Sequence, residues 1–209
     1  MLSRRLFLAL IPATLWSHIA RADAVDDALA DITKARASLQ TLKGPFTQVR
    51  TISLLKSAVK STGTLWLSRP DHLRWQLDPP DDATYWVLPT ALAYRTKAGS
   101  GKIAKGAEGV LGGVLSDLLA LLGGDLRGLQ SRYQIAVVRR DTQSLVLSLV
   151  PREEQLAKRT SRIEIYFGTD LSVLSQVTII EAKGDKSEIT FGVMSKNGKI
   201  EDKVFSTDE

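Results

Sequence analysis

Residues 63–77 read Gly63-Thr64-Leu65-Trp66-Leu67-Ser68-Arg69-Pro70-Asp71-His72-Leu73-Arg74-Trp75-Gln76-Leu77. Because alternate side chains of a β-strand lie on the same face, this stretch predicts two strands that each have one apolar face. The Arg69-Pro70 pair separates the two strands. The residues of that shared face form two apolar ladders, which are Leu65 and Leu67 before the pair and Leu73, Trp75 and Leu77 after it.

Arg69 lies an even number of residues from each of those apolar residues, so in an extended chain its side chain would lie on the same face. An arginine that points into an apolar concavity needs acceptors, because an unpaired buried charge is very costly. Its five N–H donors suit a cluster of backbone carbonyls. The alternative is that the apolar residues form an ordinary core and that Arg69 extends to solvent at the rim of the sheet.

The sequence on either side of this stretch predicts a mainly β chain with two helices. Apolar residues recur at helical spacing from Ala24 to Leu42, where Gly44-Pro45 is expected to stop the helix, and again from Val110 to Leu122. Lys97 to Gly109 is rich in Gly and Lys and is predicted to be a loop. Eleven strands are predicted, at 46–54, 60–68, 73–78, 84–88, 92–96, 133–139, 144–150, 162–167, 174–182, 187–193 and 199–205.

Most of the predicted strands are joined by short turn signals, such as Asp141-Thr142, Gly184-Asp185 and Asn197-Gly198. Short joints favour antiparallel neighbours. The pattern therefore predicts one curved antiparallel sheet, with an N-terminal helix and a central helix that each bury an apolar side.

The N-terminus has the features of an export signal. Arg4-Arg5 precede the apolar run Leu6 to Ile11, and Ala20-Arg21-Ala22 fits a signal peptidase site. The run is shorter than the roughly 20 residues that span a bilayer, and no lipobox cysteine follows it. We predict cleavage after Ala22 and a single domain over 23–209. The signal fits the twin-arginine route and the general secretory route equally well.

Composition argues against several classes of function. The full chain has 28 basic and 23 acidic residues, and Arg4, Arg5 and Arg21 lie in the predicted signal, so the net charge falls from +5 to about +2. A nucleic-acid-binding protein would need a concentrated basic face. The chain has no cysteine, so neither disulfides nor thiolate chemistry is available.

The sequence also lacks the motifs of a catalyst. His72 is the only histidine after the predicted signal, and no Gly-x-Ser-x-Gly motif accompanies it. Gly99-Ser100-Gly101-Lys102 lacks the spacing of a phosphate loop, and Glu153-Glu154 is typical of a solvated loop. We therefore predict no enzyme activity, no cofactor and no metal.

Several motifs together resemble the LolA-type outer-membrane lipoprotein carriers. After a leading helix come Phe46-Thr47-Gln48, Gly63-x-Leu65-Trp66, Arg69-Pro70 and Leu73-x-Trp75, and then Pro79. The resemblance continues more weakly through Leu147-x-Leu149-x-Pro151 and Ile189-Thr190-Phe191 to Phe205.

The resemblance implies an unclosed half-barrel of eleven strands whose concave face is covered by helices. It also implies a monomeric periplasmic carrier, which receives lipoproteins from an inner-membrane ABC-type complex and passes them to an outer-membrane acceptor. The residue matching Arg69 would hydrogen-bond the backbone of the covering helices in the closed state, and those matching Leu73 and Trp75 would line the cavity. With this resemblance, we predict a lipid-binding cavity lined by Leu65, Leu67, Leu73, Trp75 and Leu77 and a latch at Arg69.

Two alternatives to a lipoprotein carrier remain open. Well-studied members continue beyond the position of Phe205 with a further loop and strand, whereas this sequence stops at Glu209. A carrier of another acylated lipid or glycolipid is therefore an alternative. A lipoprotein-sensing regulator of the same fold is the other, although such sensors have a second C-terminal domain.

Overall fold

The computed structural model describes residues 14–53, 57–104, 109–123 and 126–207. The predicted Arg4-Arg5 pair and the apolar run after it lie outside this range. Within the described ranges, twelve strands form a single antiparallel sheet, which confirms the predicted fold class. They are β1 Thr41–Ile52, β2 Ser57–Ser68, β3 His72–Leu77, β4 Ala83–Val87, β5 Ala91–Thr96, β6 Gly99–Ala104, β7 Tyr133–Arg140, β8 Leu145–Pro151, β9 Thr160–Phe167, β10 Leu174–Glu181, β11 Lys186–Phe191 and β12 Ser195–Lys196.

The strand order shows how the half-barrel is built. Eleven strands follow the path β6-β5-β4-β3-β2-β1-β11-β10-β9-β8-β7, and the two-residue β12 pairs with β1 beside β11. Strands β6 and β7 stand at the two ends of this path, so the sheet is not closed. The first and the last long strands of the chain meet in the middle, where Phe46 pairs with Phe191.

The part of the chain that the structure describes also contains three α-helices: α1 Thr14–Ala35, α2 Gly109–Gly123 and α3 Glu154–Ala157. Two 3₁₀ helices, Leu126–Ser131 and Asp202–Phe205, complete the secondary structure. Helix α2 confirms the helix predicted from Val110 to Leu122. Among the described residues, none of the helices combines the length and apolar character that a bilayer crossing needs.

One core fills the space between the sheet and helices α1 and α2. From α1 it receives Val25, Ala28, Leu29 and Ile32, which fall on one side of the helix at the predicted spacing. From α2 it receives Leu118, Leu121 and Leu122. The helices therefore cover the concave face of the sheet with their apolar sides.

The first helix ends earlier than the sequence predicted. It stops at Ala35, and β1 already runs through Gly44 and Pro45. Pro45 is tolerated because it lies where β1 passes from β12 to β11, and its carbonyl still accepts from the Gly192 N–H at 2.9 Å. A Cβ at Gly44 would lie 2.3 Å from Met194 Sδ. The pair thus permits a close approach of two chain segments and does not end a helix.

Two other predictions were wrong. Residues 99–104, predicted as loop, form β6, which pairs along its length with β5. The predicted strand 199–205 is instead the 3₁₀ helix Asp202–Phe205. The Val204 carbonyl there accepts from Arg74 Nη1 at 3.1 Å and from Trp86 Nε1 at 3.2 Å. Side chains of β3 and β4 thus occupy an acceptor that a β-strand would need for pairing with its neighbour.

Candidate functional site

A cavity of about 880 Å3 opens on the concave face of the sheet. It lies at the end of the sheet where β1 has its C-terminus and β11 has its N-terminus. Helix α2 and the residues around α3 complete the lining. This volume is in the upper part of the range of about 300–1,000 Å3 that is typical of small-molecule sites. The lining residues are Gln48, Arg50, Trp75, Leu77, Tyr85, Leu118, Gln155, Lys158, Arg159, Thr160, Ile179, Glu181, Lys183, Ser187 and Ile189.

The floor of the cavity is apolar and well packed. Trp75 stacks on Phe46 with ring centroids 3.7 Å apart, and it meets Phe191 edge-on at 6.4 Å. Leu118 of α2 and Ile189 of β11 are buried beside it. Because the rings of Phe46 and Phe191 support Trp75 from β1 and β11, three strands hold the floor in place.

Gly63 makes the aromatic stack possible. It pairs with Phe46 on one side and with Leu77 on the other. A Cβ at this position would lie 2.6 Å from Phe46 Cζ and 2.1 Å from the Gln76 carbonyl oxygen. The glycine leaves the space that the Phe46 ring occupies.

The structure divides the five residues that the sequence predicted to line a cavity into two groups. Trp75 and Leu77 line the 880 Å3 cavity. Leu65, Leu67 and Leu73 are fully buried. Helix α2 is in close contact with Leu67, since a Cβ at Gly123 would come within 2.4 Å of Leu67 Cδ2. The second group therefore packs in the core in this conformation, and the part each of the five plays in binding stays a prediction.

Arg69 donates to backbone carbonyls between α1 and β1. Its Nη1 lies 2.9 Å from both the Arg36 oxygen and the Leu39 oxygen. Its own N–H donates to the Gln40 oxygen at 2.9 Å. A Cβ at Gly123, the last residue of α2, would lie 3.5 Å from Arg69 Cγ. Arg69 is thus situated beside the ends of both helices.

Arg36 is a second cation at this place, and the sequence analysis missed it. It is only 2% exposed, with Nη2 donating to the Leu121 oxygen at 2.7 Å and Nε to the Ser172 oxygen at 3.2 Å. Its guanidinium carbon lies 5.6 Å from the centre of the Phe167 ring. Burial, helped by the charge of Arg69, lowers the pKa of Arg36 to about 10, so it remains charged at neutral pH.

A signal for Arg36 is present in the sequence. It lies four residues after Ile32, so it continues the buried side of α1 where an apolar residue is expected. A charged residue at a core position of a helix needs partners, and here they are the carbonyl of α2 and the loop between β9 and β10.

Asp117 attaches α2 to the start of β7. This buried carboxylate accepts from the Tyr133 hydroxyl at 2.5 Å and from Arg132 Nη1. Burial raises the pKa of Asp117, although the Tyr133 hydrogen bond and the Arg132 charge oppose the shift. Burial and the hydrogen bond to Asp117 also raise the pKa of Tyr133. Helix α2 is thus held by polar contacts on two sides, to Arg36 and to this pair.

The remaining polar groups form no recognisable reaction centre in the described ranges. No cluster of three or more His, Asp or Glu side chains that could hold a metal ion occurs among those residues. His72 is partly exposed, lies 2.9 Å from Asp71 Oδ1 and contacts Phe205 edge-on at 5.3 Å. This histidine is a surface residue at the start of β3.

A half-barrel whose concave face packs against helices and holds an apolar cavity is the architecture that the sequence resemblance implied, and a comparison with family models agrees. The model of the outer membrane lipoprotein carrier protein LolA matches residues 37–84 and 113–208, more than half of the chain. The chain belongs to the LolA family. A search of curated proteins finds no match.

Solved structures with the same fold are distant in sequence. A DUF1329 family protein from Desulfovibrio piger superposes with a TM-score of 0.53 at 9% identity, covering 88% of this chain and 97% of its own. A LolA superfamily protein from Nitrosomonas europaea gives 0.51 at 10% identity, with the same two coverages of 88% and 97%. At these identities the likeness supports the fold alone.

Proposed function

We propose that this protein is a periplasmic carrier without catalytic activity, which holds the acyl chains of lipoproteins in the concave cavity and moves them from the inner to the outer membrane. The observation that carries the proposal is the 880 Å3 cavity with its floor of Trp75, Leu77, Leu118, Ile179 and Ile189. In a chain of the LolA family, an apolar concavity of this size is suited to acyl chains.

The physical need for such a site is large. Each acyl CH₂ that leaves water contributes about 0.8 kcal/mol, so an exposed chain crosses an aqueous compartment very slowly. An apolar cavity with an open side removes much of that surface from water and still allows release. The proposed donor is an inner-membrane ABC-type complex, and the proposed acceptor is an outer-membrane protein.

The remaining parts of the proposal come from the sequence. Export would follow cleavage after Ala22, and residues 23–209 would act as a monomer. Another acylated lipid or a glycolipid is the alternative cargo. Arg69 would act as a latch, because its two carbonyl contacts favour a closed form that binding has to open.

The test of the proposed function measures the binding of a palmitoylated, dansyl-labelled peptide to the purified mature chain, by energy transfer from tryptophan. Leu77→Glu places a carboxylate in the apolar lining, and we expect affinity to fall by at least about tenfold. The matched control is Val138→Glu on β7, where the valine is 60% exposed and away from the cavity.

Urea unfolding of both variants separates lost binding from lost folding. Native mass spectrometry of protein purified from the cell envelope is expected to reveal a bound acylated molecule. Protein that is free of lipid and also ignores the palmitoylated peptide would overturn the proposed function, as would equal affinity of Leu77→Glu and Val138→Glu.

A further inference from the structure

The cavity has a basic mouth around its apolar floor. Four of its lining residues are cationic, namely Arg50, Lys158, Arg159 and Lys183, and one, Glu181, is anionic. The lining therefore carries three net positive charges, whereas the chain after the predicted signal is close to neutral. Positive charge is concentrated at the opening of one cavity.

These charges follow from the strand pattern. On β1, the alternate residues Phe46, Gln48 and Arg50 have their side chains on the concave face. This face therefore changes from apolar to cationic along a single strand. On β10 the lining changes from apolar Ile179 to anionic Glu181, so this strand also becomes charged towards the mouth. The side chains at the mouth thus point in the same direction as those of the apolar floor.

The backbone holds two of the cations close together. The Ala182 N–H donates to the Arg159 oxygen at 2.9 Å, next to the pairing of Thr160 with Glu181. This contact joins the start of β9 to the residues after β10. Arg159 and Lys183 consequently lie on neighbouring segments at the same end of the sheet.

Most of this positive charge is weakly compensated. Arg50 Nη2 is 3.3 Å from Glu181 and 3.4 Å from Asp185, longer than the roughly 2.7–2.9 Å of a strong charge-assisted bond. Lys158 pairs with Glu154, whose side chain is 81% exposed. Arg159 and Lys183 form no ion pair with any carboxylate of the described residues. These two cations remain available to a ligand.

From this arrangement we infer that the cargo is an amphiphile with an anionic headgroup, such as a phosphate or a carboxylate attached to an acyl chain. This inference rests on the proposed role as a carrier of acyl chains, and it favours the alternative cargo, another acylated lipid, over a lipoprotein. The chain occupies the floor beside Trp75 and Leu118, and the headgroup stays at the mouth between Arg159, Lys183 and Arg50. Charge at the mouth then selects among lipids that the apolar floor binds equally.

The experiment compares two lipids that share one palmitoyl chain: lysophosphatidylglycerol, which is anionic, and lysophosphatidylcholine, which is zwitterionic. We expect the anionic lipid to bind about tenfold more tightly to the mature protein at low salt. The preference is expected to shrink as the Debye length falls from about 30 Å at 0.01 M to about 3 Å at 1 M salt. Binding is read from tryptophan fluorescence, because Trp75 lines the cavity.

The variant for this test combines Arg159→Glu with Lys183→Glu. We expect it to lose the preference for the anionic lipid and to keep its affinity for lysophosphatidylcholine. The control combines Lys60→Glu with Lys199→Glu, which changes the net charge equally at two exposed residues outside the cavity. Its preference is expected to be unchanged.

The outcomes separate the two levels of the proposal. If neither lipid binds and the palmitoylated peptide does not bind either, the proposed function fails. If only the palmitoylated peptide binds, the anionic cargo is overturned while the carrier survives. If both bind with equal affinity at low salt, or if the control loses the preference as fully as the mouth variant, the anionic headgroup is overturned while the carrier survives. Glycerol phosphate without an acyl chain is expected not to compete, and effective competition would show a site for a free anion.

Discussion

At the scale of single residues, Arg69 is the position whose role is most directly testable. Its guanidinium donates to the Arg36 and Leu39 carbonyls, each at 2.9 Å. Hydrogen bonds from a charged donor are worth about 1.5–3 kcal/mol each. If the closed form depends on them, their loss favours the open form that holds lipid.

We therefore expect Arg69→Leu to slow the release of a palmitoylated peptide to acceptor vesicles by about tenfold, the equivalent of about 1.4 kcal/mol. The comparison is Arg74→Leu, which removes a similar bond from arginine to carbonyl, at 3.1 Å, on the opposite face of β3. Unchanged release from Arg69→Leu, or an equal slowing by Arg74→Leu, would argue against a latch.

Alternation along the strand indicated that Arg69 would need carbonyl acceptors if it pointed inward, but it left a position at the rim open and could not separate cavity from core. Leu65, Leu73, Trp75 and Leu77 share one face, and parity assigns them the same environment. Their difference depends on how the other elements pack against this face. Trp75 and Leu77 border the cavity, although Trp75 is only 5% exposed, whereas Leu65 and Leu73 are fully buried in the core.

At the scale of secondary-structure elements, α2 is the one whose attachment is most specific. Its core residues Leu118, Leu121 and Leu122 are buried, yet the helix also depends on a buried arginine from another element. Arg36 donates to the carbonyls of Leu121 at the end of α2 and of Ser172 between β9 and β10, while its Nη1 has no hydrogen-bond partner among the described residues. A single guanidinium thus connects three parts of the fold.

We expect Arg36→Met to lower the free energy of unfolding by about 1–3 kcal/mol, because two buried carbonyls lose their charged donor. Amide hydrogen exchange is expected to accelerate at the C-terminal end of α2. Arg140→Met is the matched control: it removes an exposed ion pair between β7 and Asp31 of α1, which is worth about 0–1 kcal/mol. Equal stability and equal exchange in the two variants would contradict this role of Arg36.

The elements that the sequence predicted well are those whose apolar pattern is strong. Strands β2 and β3 alternate cleanly, and α2 is apolar over its length. Strand β6 was missed because Gly99–Ala104 contains few apolar residues, and its strand character comes from pairing with β5. A strand was predicted to include residues 202–205 because they contain apolar Val204 and Phe205, but the Val204 carbonyl accepts hydrogen bonds from the side chains of Arg74 and Trp86. In both cases tertiary contacts decide what the local pattern could not.

At the scale of the whole molecule, the open sheet has a benefit and a liability. An unclosed half-barrel leaves the cavity accessible from one side, which a carrier needs for loading and release. The same architecture leaves β6 and β7 at the two ends of the strand order. An edge strand offers unpaired N–H and C=O groups to a second molecule.

Strand β6 has two features that discourage such pairing. It is glycine-rich and places the exposed Lys102 in its centre, opposite Ala93. A lysine on an edge strand opposes association of two edges, since a second copy would bring a like charge against it. We expect the natural chain to be a monomer for this reason.

Lys102→Val is then expected to shift the protein towards a dimer, because the edge gains a β-branched residue next to Ile103 and loses its charge. Sedimentation velocity over a range of concentrations measures the shift. Lys43→Val is the matched control, because Lys43 is also exposed but pairs with Trp66 of β2 on one side and with Ser195 of β12 on the other. A Lys102→Val protein that stays as monomeric as Lys43→Val would mean that the glycines of β6 suffice to protect this edge.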